Sequence, residues 1–432
     1  MKVPVHNRRP AGAARRWLGA VALALAIALP AGGAAAVEVD RVQPQAVEPV
    51  TQPDASPLVA FDARIAGDDA RTRIIIDFDR KPDIRVHYVA NPFRILIDLP
   101  ETHFGLKPDD MAARGLFSDI RYGAMDEGRS RIVLTADRPV AVALSDIQEE
   151  QGGSAYRLVI DAAIVTQQAF DELVAKQTWK DVTSIVEEAP PVLLPGSRTE
   201  DTAFVIAVDA GHGGIDNGAI GAATKTEEKH VTLAFAQKLA DKLNTVTGVK
   251  AFLTRDKDEF LSLPQRVQLA RHGKANLFIS VHADTLRQKD VRGATVYTIS
   301  DKASDSLAAD LAERENLSDE IAGIPLSDEP TEVADILIDL TRRETQAFSI
   351  SLARTVVASF EGEVRLINNP HRHAGFRVLQ APDVPSVLLE LGFLSNKEDE
   401  KLLLDPEWQA KVADLIVKAV ERYRTEVVAN GG

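Results

Sequence analysis

The sequence contains no cysteine among its 432 residues. This absence excludes a thiol nucleophile, a disulfide framework and any metal held by thiolates. A metal site in this protein therefore has to be built from histidine and carboxylate, and nine histidines are available for it. Positive charge is also scarce, because 50 Lys and Arg stand against 64 Asp and Glu and leave a formal net charge of -14. Such acidity opposes attachment to nucleic acid or to anionic lipid, so we expect neither as a partner.

The amino terminus carries an apolar run from Trp17 to Pro30 that is too short for a comfortable membrane span. A basic stretch precedes this run and the small residues Ala34–Ala36 follow it, which is typical of a secretory signal peptide. We therefore predict that residues 1–36 are cleaved on export and that the mature chain has no stable membrane anchor. The pair Arg15-Arg16 fits the twin-arginine route, but an ordinary basic region looks nearly the same, so the export route stays open.

Residues 57–163 consist of short β-branched runs bounded by Gly, Pro and Asp, which is typical of strands. Two short sequence patterns of this region, Arg73–Phe78 and Arg94–Leu99, recur in similar form about sixty residues later at 131–135 and 157–161. The repetition indicates an internal duplication. We predict a small all-β sandwich in which two similar half-sheets pack face to face and bury their apolar sides.

The predicted sandwich has no concentration of catalytic residue types. Its histidines, His87 and His103, lack acidic neighbours at ligand spacing. A binding or targeting role is therefore favoured for this module.

A second domain is predicted over residues 201–428, after a linker at 164–200 that contains a short helical pattern and several prolines. Short apolar strands alternate there with longer helical patterns, which predicts an α/β domain with a mixed sheet covered by helices. Residues 301–345 form an insertion with helical patterning that is longer than a loop needs.

The first candidate site residue is His212, in the phrase Asp209–Gly214 that directly follows an apolar strand. Open α/β sheets usually hold their sites at the carboxyl ends of strands, and the glycines leave room above the histidine. The spacing fits neither dinucleotide-binding nor P-loop patterns, which disfavours a phosphate cradle. A plain tight turn with an incidental histidine remains the alternative for this loop taken alone.

A second histidine, His282, ends another apolar strand, so two parallel strands would deliver both histidines to one edge of the sheet. Between them, Glu227 and Glu228 open a helical pattern, and a carboxylate at that position would face the same edge. The alternative for these glutamates is that they only complement the helix dipole. Two histidines and one carboxylate are a ligand set of catalytic zinc with an open fourth position.

A fourth residue, Glu390, ends the apolar strand that begins near Ser386. Burying a carboxylate costs free energy unless the group is paired, hydrogen-bonded or functional. Beside a metal site it would act as general base and return the proton to a leaving amine. An ion pair with an arginine such as Arg377 is the alternative.

The sequence patterns around these four candidate residues occur in the same order as in a known enzyme family. Residues 204–425 resemble the catalytic domain of the zinc-dependent N-acetylmuramoyl-L-alanine amidases, and 57–163 resemble the AMIN-type module that localises periplasmic cell-division amidases on the cell wall. The matching phrases in family order are Asp209–Gly214, Glu228–Lys229, Ser280–Asp284 and Glu390–Phe393.

The resemblance implies the roles of the site residues. His212, Glu228 and His282 would hold Zn2+, and Glu390 would be the catalytic carboxylate. Of the adjacent glutamates, Glu228 is preferred because it directly precedes Lys229. The implied reaction is hydrolysis of the amide bond between N-acetylmuramic acid and L-alanine in peptidoglycan, in the periplasm, for daughter-cell separation or wall remodelling.

In the cell-division members that this chain resembles, a segment comparable to 301–345 covers the cleft and is displaced by a partner. We therefore expect autoinhibition in which Glu315, or less favourably Glu313, blocks the vacant zinc position. An activator protein of the division machinery would bind the apolar face of the insertion. The alternative is a helix packed away from the cleft with its acids in solvent.

Two other functions stay open from the sequence. A zinc peptidase of the stem peptide would use the same ligand set on a different amide. A non-catalytic peptidoglycan-binding protein would keep the fold without the chemistry, and the sandwich module could bind a division protein instead of glycan.

Overall fold

The computed structural model describes residues 56–107, 109–125, 128–150, 155–177, 203–324 and 336–429, with the backbone alone at 336–340 and 427–429. The predicted signal peptide lies outside these ranges, and so do most of the predicted linker and the middle of the predicted insertion. The described residues from Ser56 onward belong to a single unit of the chain.

The amino-terminal part is all β and ends with one helix. Its strands are β1 (Leu58–Gly67), β2 (Arg71–Phe78), β3 (Arg85–Val89), β4 (Phe93–Pro100), β5 (Thr102–Phe104), β6 (Phe117–Ala124), β7 (Arg129–Ala136), β8 (Val140–Glu149) and β9 (Tyr156–Ile164). They form a five-stranded sheet in the order β5-β1-β2-β9-β8 and a four-stranded sheet in the order β3-β4-β7-β6. One apolar core contains buried residues of both sheets, which confirms the predicted sandwich.

The strands formed by the recurring sequence patterns are distributed between the two sheets differently from the prediction. The strands of the first copy are β2 and β4, and those of the second are β7 and β9. In the structure β2 pairs with β9 and β4 pairs with β7, so each sheet combines one strand from each copy. The prediction of two half-sheets was correct about face-to-face packing, but neither sheet is built from one copy. Pairing across copies brings Arg73 of one opposite Asp161 of the other, and their side chains are 2.5 Å apart at the closest atoms.

The first part of the predicted linker packs on the sandwich as helix α1 (Gln167–Lys176). Thr166 accepts a hydrogen bond from the backbone of Ala169 and so caps the helix. The buried ring of Phe170 makes edge-on contacts with Tyr88 and Phe93, at centroid distances of 5.9 and 5.1 Å. Aromatic pairs in this geometry add roughly 0.5–1.5 kcal/mol beyond the burial itself.

The carboxyl-terminal part is an α/β domain. Its strands are β10 (Phe204–Ala210), β11 (Val249–Leu253), β12 (Leu277–His282), β13 (Ala294–Ile299), β14 (Leu366–Ala374) and β15 (Ser386–Glu390). Its helices are α2 (Glu228–Leu243), α3 (Leu263–His272), α4 (Ser306–Asn316), α5 (Ser318–Ile321), α6 (Ile336–Phe360), α7 (Lys397–Leu403) and α8 (Pro406–Ala429), with a 3-10 turn at Arg377–Leu379.

The sheet of this domain is mixed, in the order β11-β10-β12-β15-β13-β14, with β13 antiparallel to β15 and the other neighbours parallel. Apolar residues of α2, α6 and α8 cover one face of the sheet. Residues of α3 and α4 cover the other. The predicted fold class, an α/β domain after an all-β sandwich, is therefore confirmed.

The topology brings three strand ends together. Because β10, β12 and β15 are parallel neighbours, their carboxyl ends meet at one edge of the sheet. Every residue of β12 and β15 is buried, which explains why their sequences are predominantly apolar. Among the residues described, no helix combines the length and the apolar character that crossing a bilayer requires.

Candidate metal centre

His212 lies on the loop that leaves β10 at the shared sheet edge. Its backbone has a φ of 59°, in the left-handed region that non-glycine residues rarely adopt. Nδ1 of His212 is 2.9 Å from Oδ2 of Asp216, to which it donates. Because Nδ1 bonds to Asp216, Nε2 is the ring atom that remains to bind a metal, and a carboxylate in this position also orients the ring.

Glu228 and His282 complete a cluster with His212. Glu228 is the first residue of α2, and its two carboxylate oxygens accept backbone hydrogen bonds from Ala219 and Ala283 at 2.8 and 2.7 Å. His282 is the last residue of β12. One ligand atom from each of the three residues lies within 4.8 Å of the others, and all three residues are buried.

Close approach of the loop to His282 requires glycine at position 211. A methyl group there would lie 2.5 Å from Cε1 and 2.6 Å from Nε2 of the imidazole of His282. The glycines that the sequence places around His212 therefore have a steric reason.

The separations between the ligand atoms fit a tetrahedral metal. Bonds of about 2.0–2.1 Å at tetrahedral angles place two ligand atoms about 3.3 Å apart. Oε2 of Glu228 is 3.2 Å from Nε2 of His212, and its Oε1 is 3.4 Å from Nδ1 of His282. Within the described part of the chain neither imidazole nitrogen makes a hydrogen bond, although both are buried. Buried nitrogens that face carboxylate oxygens without a hydrogen bond between them are what a bound cation would satisfy.

The electrostatics of the cluster favour a cation. Burial alone would lower the pKa of His212, but the carboxylates of Glu228, Asp216 and Glu315 outweigh it and raise the pKa well above the usual range. For His282 burial again acts downward, and Glu315 and Glu228 raise the pKa to about 10. The surrounding carboxylates thus stabilise positive charge between the two rings.

Glu390 ends β15 directly opposite His282 in the parallel register. Its Oε2 accepts a hydrogen bond from the backbone of Asp284 at 3.0 Å, whereas Oε1 has no hydrogen-bond partner among the described residues. Burial raises the pKa of Glu390 well above its usual range, and the nearby carboxylates of Glu228 and Asp284 raise it further. A buried carboxyl with one oxygen fixed and the other unpartnered is suited to accept and return a proton.

Glu315 of α4 lies beside the same ligand atoms. Its Oε2 is 3.1 Å from Nδ1 of His282 and 3.6 Å from Nε2 of His212, again close to the tetrahedral separation. Glu313, the other acid that the sequence suggested, is exposed on the same helix. The helical spacing of Ala308, Leu311, Ala312 and Glu315 would have distinguished Glu315 from Glu313 in the sequence. It places Glu315 on the buried apolar face of the helix.

Several contacts hold α4 and α5 against this edge. Arg314 donates to Oδ2 of Asp284 at 2.6 Å and to the carbonyl of Thr285 at 2.9 Å. Ser318 donates to Oδ2 of Asp216 at 2.5 Å, which is the carboxylate that orients His212. The cavity beside them has a volume of about 510 Å³.

Sequence reasoning missed the residues that position the His212 loop. Asp216 was detectable as an acid four residues after a histidine in a glycine-rich loop. Asp209 lies in the pattern around His212, but its pairing with Arg266 gave no local signal, because the pair joins β10 to α3 at 2.9 Å. Arg266 also donates to the carbonyl of His212 at 2.8 Å and so supports its unusual backbone.

Comparison with known proteins matches both parts of the chain. Residues 206–422 match the family model of N-acetylmuramoyl-L-alanine amidase, and residues 62–162 match that of the AMIN domain. The chain is 31% identical over 365 residues to the N-acetylmuramoyl-L-alanine amidase AmiC of Escherichia coli O6:H1 (strain CFT073), which covers 82% of this chain and 86% of the relative.

Two further matches each cover about half of the chain. The chain is 38% identical over 230 residues to the amidase AmiA of Escherichia coli K12, covering 53% of this chain and 79% of the relative. The solved catalytic domain of the amidase CwlV from Bacillus (Paenibacillus) polymyxa aligns with 51% of this chain and 98% of its own length, at 27% identity and a TM-score of 0.37.

Proposed function

We propose a zinc mechanism for this chain, which belongs to the N-acetylmuramoyl-L-alanine amidase family. The chain hydrolyses the amide bond between N-acetylmuramic acid and L-alanine in peptidoglycan. In the proposed mechanism His212, Glu228 and His282 hold the zinc ion. The proposal rests on the separations near 3.3 Å between the oxygens of Glu228 and the imidazole nitrogens of His212 and His282. These two nitrogens are buried and make no hydrogen bond among the described residues.

Zinc bound there would supply a Lewis acid and make water a stronger acid. The protein supplies the proton transfer. Glu390 accepts the proton of the attacking water at Oε1 and later gives it to the departing amine of alanine, while the Asp284 backbone holds Oε2 in place. Family membership favours this amide over the stem-peptide bonds of the peptidase alternative.

We also propose that the conformation described is autoinhibited. Glu315 occupies the position that substrate and water would need, at 3.1 Å from Nδ1 of His282. Its carboxylate is buried between the two imidazoles, so it is not the solvated acid of the alternative interpretation. We call residues 306–324, which comprise α4, α5 and the turn after them, the blocking segment.

An activator protein has to displace this segment. The apolar face of α4 is already buried in the domain core, through Ala308, Leu311 and Ala312. The activator therefore binds that face only after the helix has left its place, or first contacts another part of the insertion. This refines the expectation that the apolar face is the initial binding site.

The site of action follows from the substrate. Because peptidoglycan lies outside the cytoplasmic membrane, we propose export of the chain to the periplasm, with residues 1–36 as a cleaved signal peptide. The AMIN-type sandwich would localise the enzyme on the wall, for daughter-cell separation or wall remodelling.

Digestion of purified peptidoglycan by the full chain and by its Glu315→Ala variant, with products identified by mass spectrometry, tests the reaction. We expect stem peptides with a free alanine amino terminus, lost with chelator and restored by zinc. Cleavage within the stem would establish the peptidase instead. If neither protein cleaved the substrate, the binding-protein function would be favoured.

A further inference from the structure

The outer face of the four-stranded sheet in the sandwich contacts the blocking segment. Leu96 of β4 and Val133 of β7 are buried on this face, opposite to the sandwich core. They share an apolar cluster with Ala322 of the blocking segment and with residues of the α/β scaffold.

Two arginines of the same face bind the last turn of the blocking segment. Nη1 of Arg94 donates to the carbonyl of Glu320, and Nη2 is 3.1 Å from its carboxylate oxygen Oε1. Nη1 of Arg131 donates to the carbonyl of Ala322 at 2.8 Å. Both arginines therefore tie the carboxyl-terminal end of α5 and the turn after it to the sandwich.

Arg94 and Arg157 begin the two matching patterns of the predicted duplication, yet they have different partners. In the equivalent position of the other copy, Arg157 donates to both oxygens of Asp77 across the strands, at 2.7 and 3.0 Å. The residue opposite Arg94 in the same register is Thr135, which has no carboxylate to offer. The two copies therefore differ where the sandwich meets the blocking segment, and Arg94 is left to bind Glu320.

The turn after α5 is shaped for this contact. Gly323 has a φ of 78°, a conformation that side-chain-bearing residues rarely adopt. A methyl group at Gly323 would lie 2.5 Å from Cδ2 and 2.8 Å from Cδ1 of Leu96. Backbone conformation and steric space thus both require glycine where the segment crosses the sheet.

We propose that this face of the sandwich, centred on Arg94, Leu96 and Arg131, is a docking surface for residues 320–324 of the chain's own blocking segment. The inference rests on the proposed block by Glu315. Docking holds α5 beside the α/β scaffold, where Ser318 bonds to Asp216, and so keeps Glu315 between the histidines.

The docking surface couples two events that would otherwise be independent. Displacing the blocking segment requires breaking its contacts with the sandwich, and moving the sandwich away removes donors from α5. Because such coupling is reciprocal, any ligand that separates the sandwich from the segment favours the open site. The sandwich then contributes to regulation in addition to localisation.

The test compares variants of the full chain by peptidoglycan hydrolysis and by amide hydrogen exchange at residues 318–324. Arg94→Ala removes the docking arginine. Thr135→Asp offers Arg94 the cross-strand carboxylate that Arg157 already has, and it breaks no side-chain hydrogen bond of Thr135. Arg157→Ala is the matched control, since it breaks the equivalent ion pair of the other copy away from the segment.

We expect Arg94→Ala and Thr135→Asp to accelerate exchange at 318–324 and raise basal hydrolysis roughly tenfold, the effect of one charge-assisted contact. Arg157→Ala should change neither. Unchanged exchange in both test variants, or an equal increase in the Arg157→Ala control, would overturn the docking proposal. If Glu315→Ala leaves hydrolysis unaltered while Arg94→Ala still accelerates exchange, the docking is supported and the block by Glu315 is what fails.

Discussion

A buried ion pair of the sandwich and the metal centre of the α/β domain use buried charge in different ways. In the sandwich, the buried carboxylate of Asp161 accepts bonds from Arg73 at 2.5 and 2.7 Å. In the α/β domain, His212, His282 and Glu390 are equally buried, yet each keeps one side-chain atom without a hydrogen bond among the described residues. In the Arg73–Asp161 pair, both carboxylate oxygens already have a hydrogen-bond donor, so the pair offers no unpartnered carboxylate oxygen to a ligand.

The difference separates structural from chemical use of buried polar groups. A bidentate arginine–carboxylate pair is geometrically complete and stabilises strand register. Unpartnered buried atoms are costly, and they persist where a metal, a substrate or a transferred proton supplies the missing partner. The following four predictions test this contrast, in order of decreasing effect.

Glu390→Gln removes the proton acceptor and keeps the shape of the side chain. Peptidoglycan hydrolysis should fall by about 100- to 10,000-fold, the usual contribution of general acid–base catalysis. The zinc content should stay the same. Glu363→Gln, which changes an exposed glutamate paired with Lys411, is the control and should retain the wild-type rate. A Glu390→Gln protein with near wild-type turnover would contradict the proposed role.

Glu315→Ala removes the carboxylate that lies between the two histidines. We expect basal hydrolysis to rise roughly 5- to 150-fold, the range of typical coupling free energies between two states. Glu313→Ala is the matched control, because Glu313 is an exposed acid on the same helix. Equal rates for both variants and the wild type would argue against autoinhibition through this residue.

Asp216→Asn removes the carboxylate that accepts from Nδ1 of His212. Loss of such an orienting partner weakens metal affinity by about 10- to 100-fold, which zinc competition with a chromophoric chelator measures. Asp216 also accepts from Ser318, so Ser318→Ala serves as the control. If Ser318→Ala weakened zinc binding as much, the effect would come from the blocking segment and not from the histidine.

Asp161→Asn tests the completed pair of the sandwich and should leave zinc binding unchanged. The hydrogen bond from Arg73 lowers the pKa of Asp161 below its usual value, and burial offsets only part of this. A carboxylate with a lowered pKa stabilises the fold above its unfolded pKa of about 3.9 and loses that contribution as the pH falls through the folded pKa.

The variant should therefore melt below the wild type at pH 7, and the difference should shrink at pH 3. Asp146→Asn, at an exposed position, is the control for this comparison. A melting difference that is the same at both pH values would exclude ionisation as its cause.

Much of the candidate site was predictable from local patterns. His212, His282 and Glu390 each follow an apolar run that forms a buried strand, and parallel neighbours necessarily present their carboxyl ends at one edge. The glutamate at the start of α2 was also visible, because the helical pattern begins there. Asp209 and Arg266 were not, since their pairing depends on how α3 packs beside β10.

The sequence by itself determined the chemistry available: histidine and carboxylate without cysteine, at or just after the ends of predominantly apolar strands. It also contains the recurring patterns from which an internal duplication of the sandwich is predicted. These are local properties, because they depend on neighbouring residues and on the spacing of apolar residues, about every second residue in a strand and every third or fourth in a helix.

Tertiary structure alone decided which distant residues meet. It paired β2 with β9, a strand of the other copy, and not with β4 of the same copy. It also brought Arg94 to Glu320, which is 226 residues away in the sequence. It also placed Glu315, and not Glu313, between the histidines, through the docking of α4 on the core. Such contacts depend on the packing of whole elements, and no short stretch of sequence contains that information.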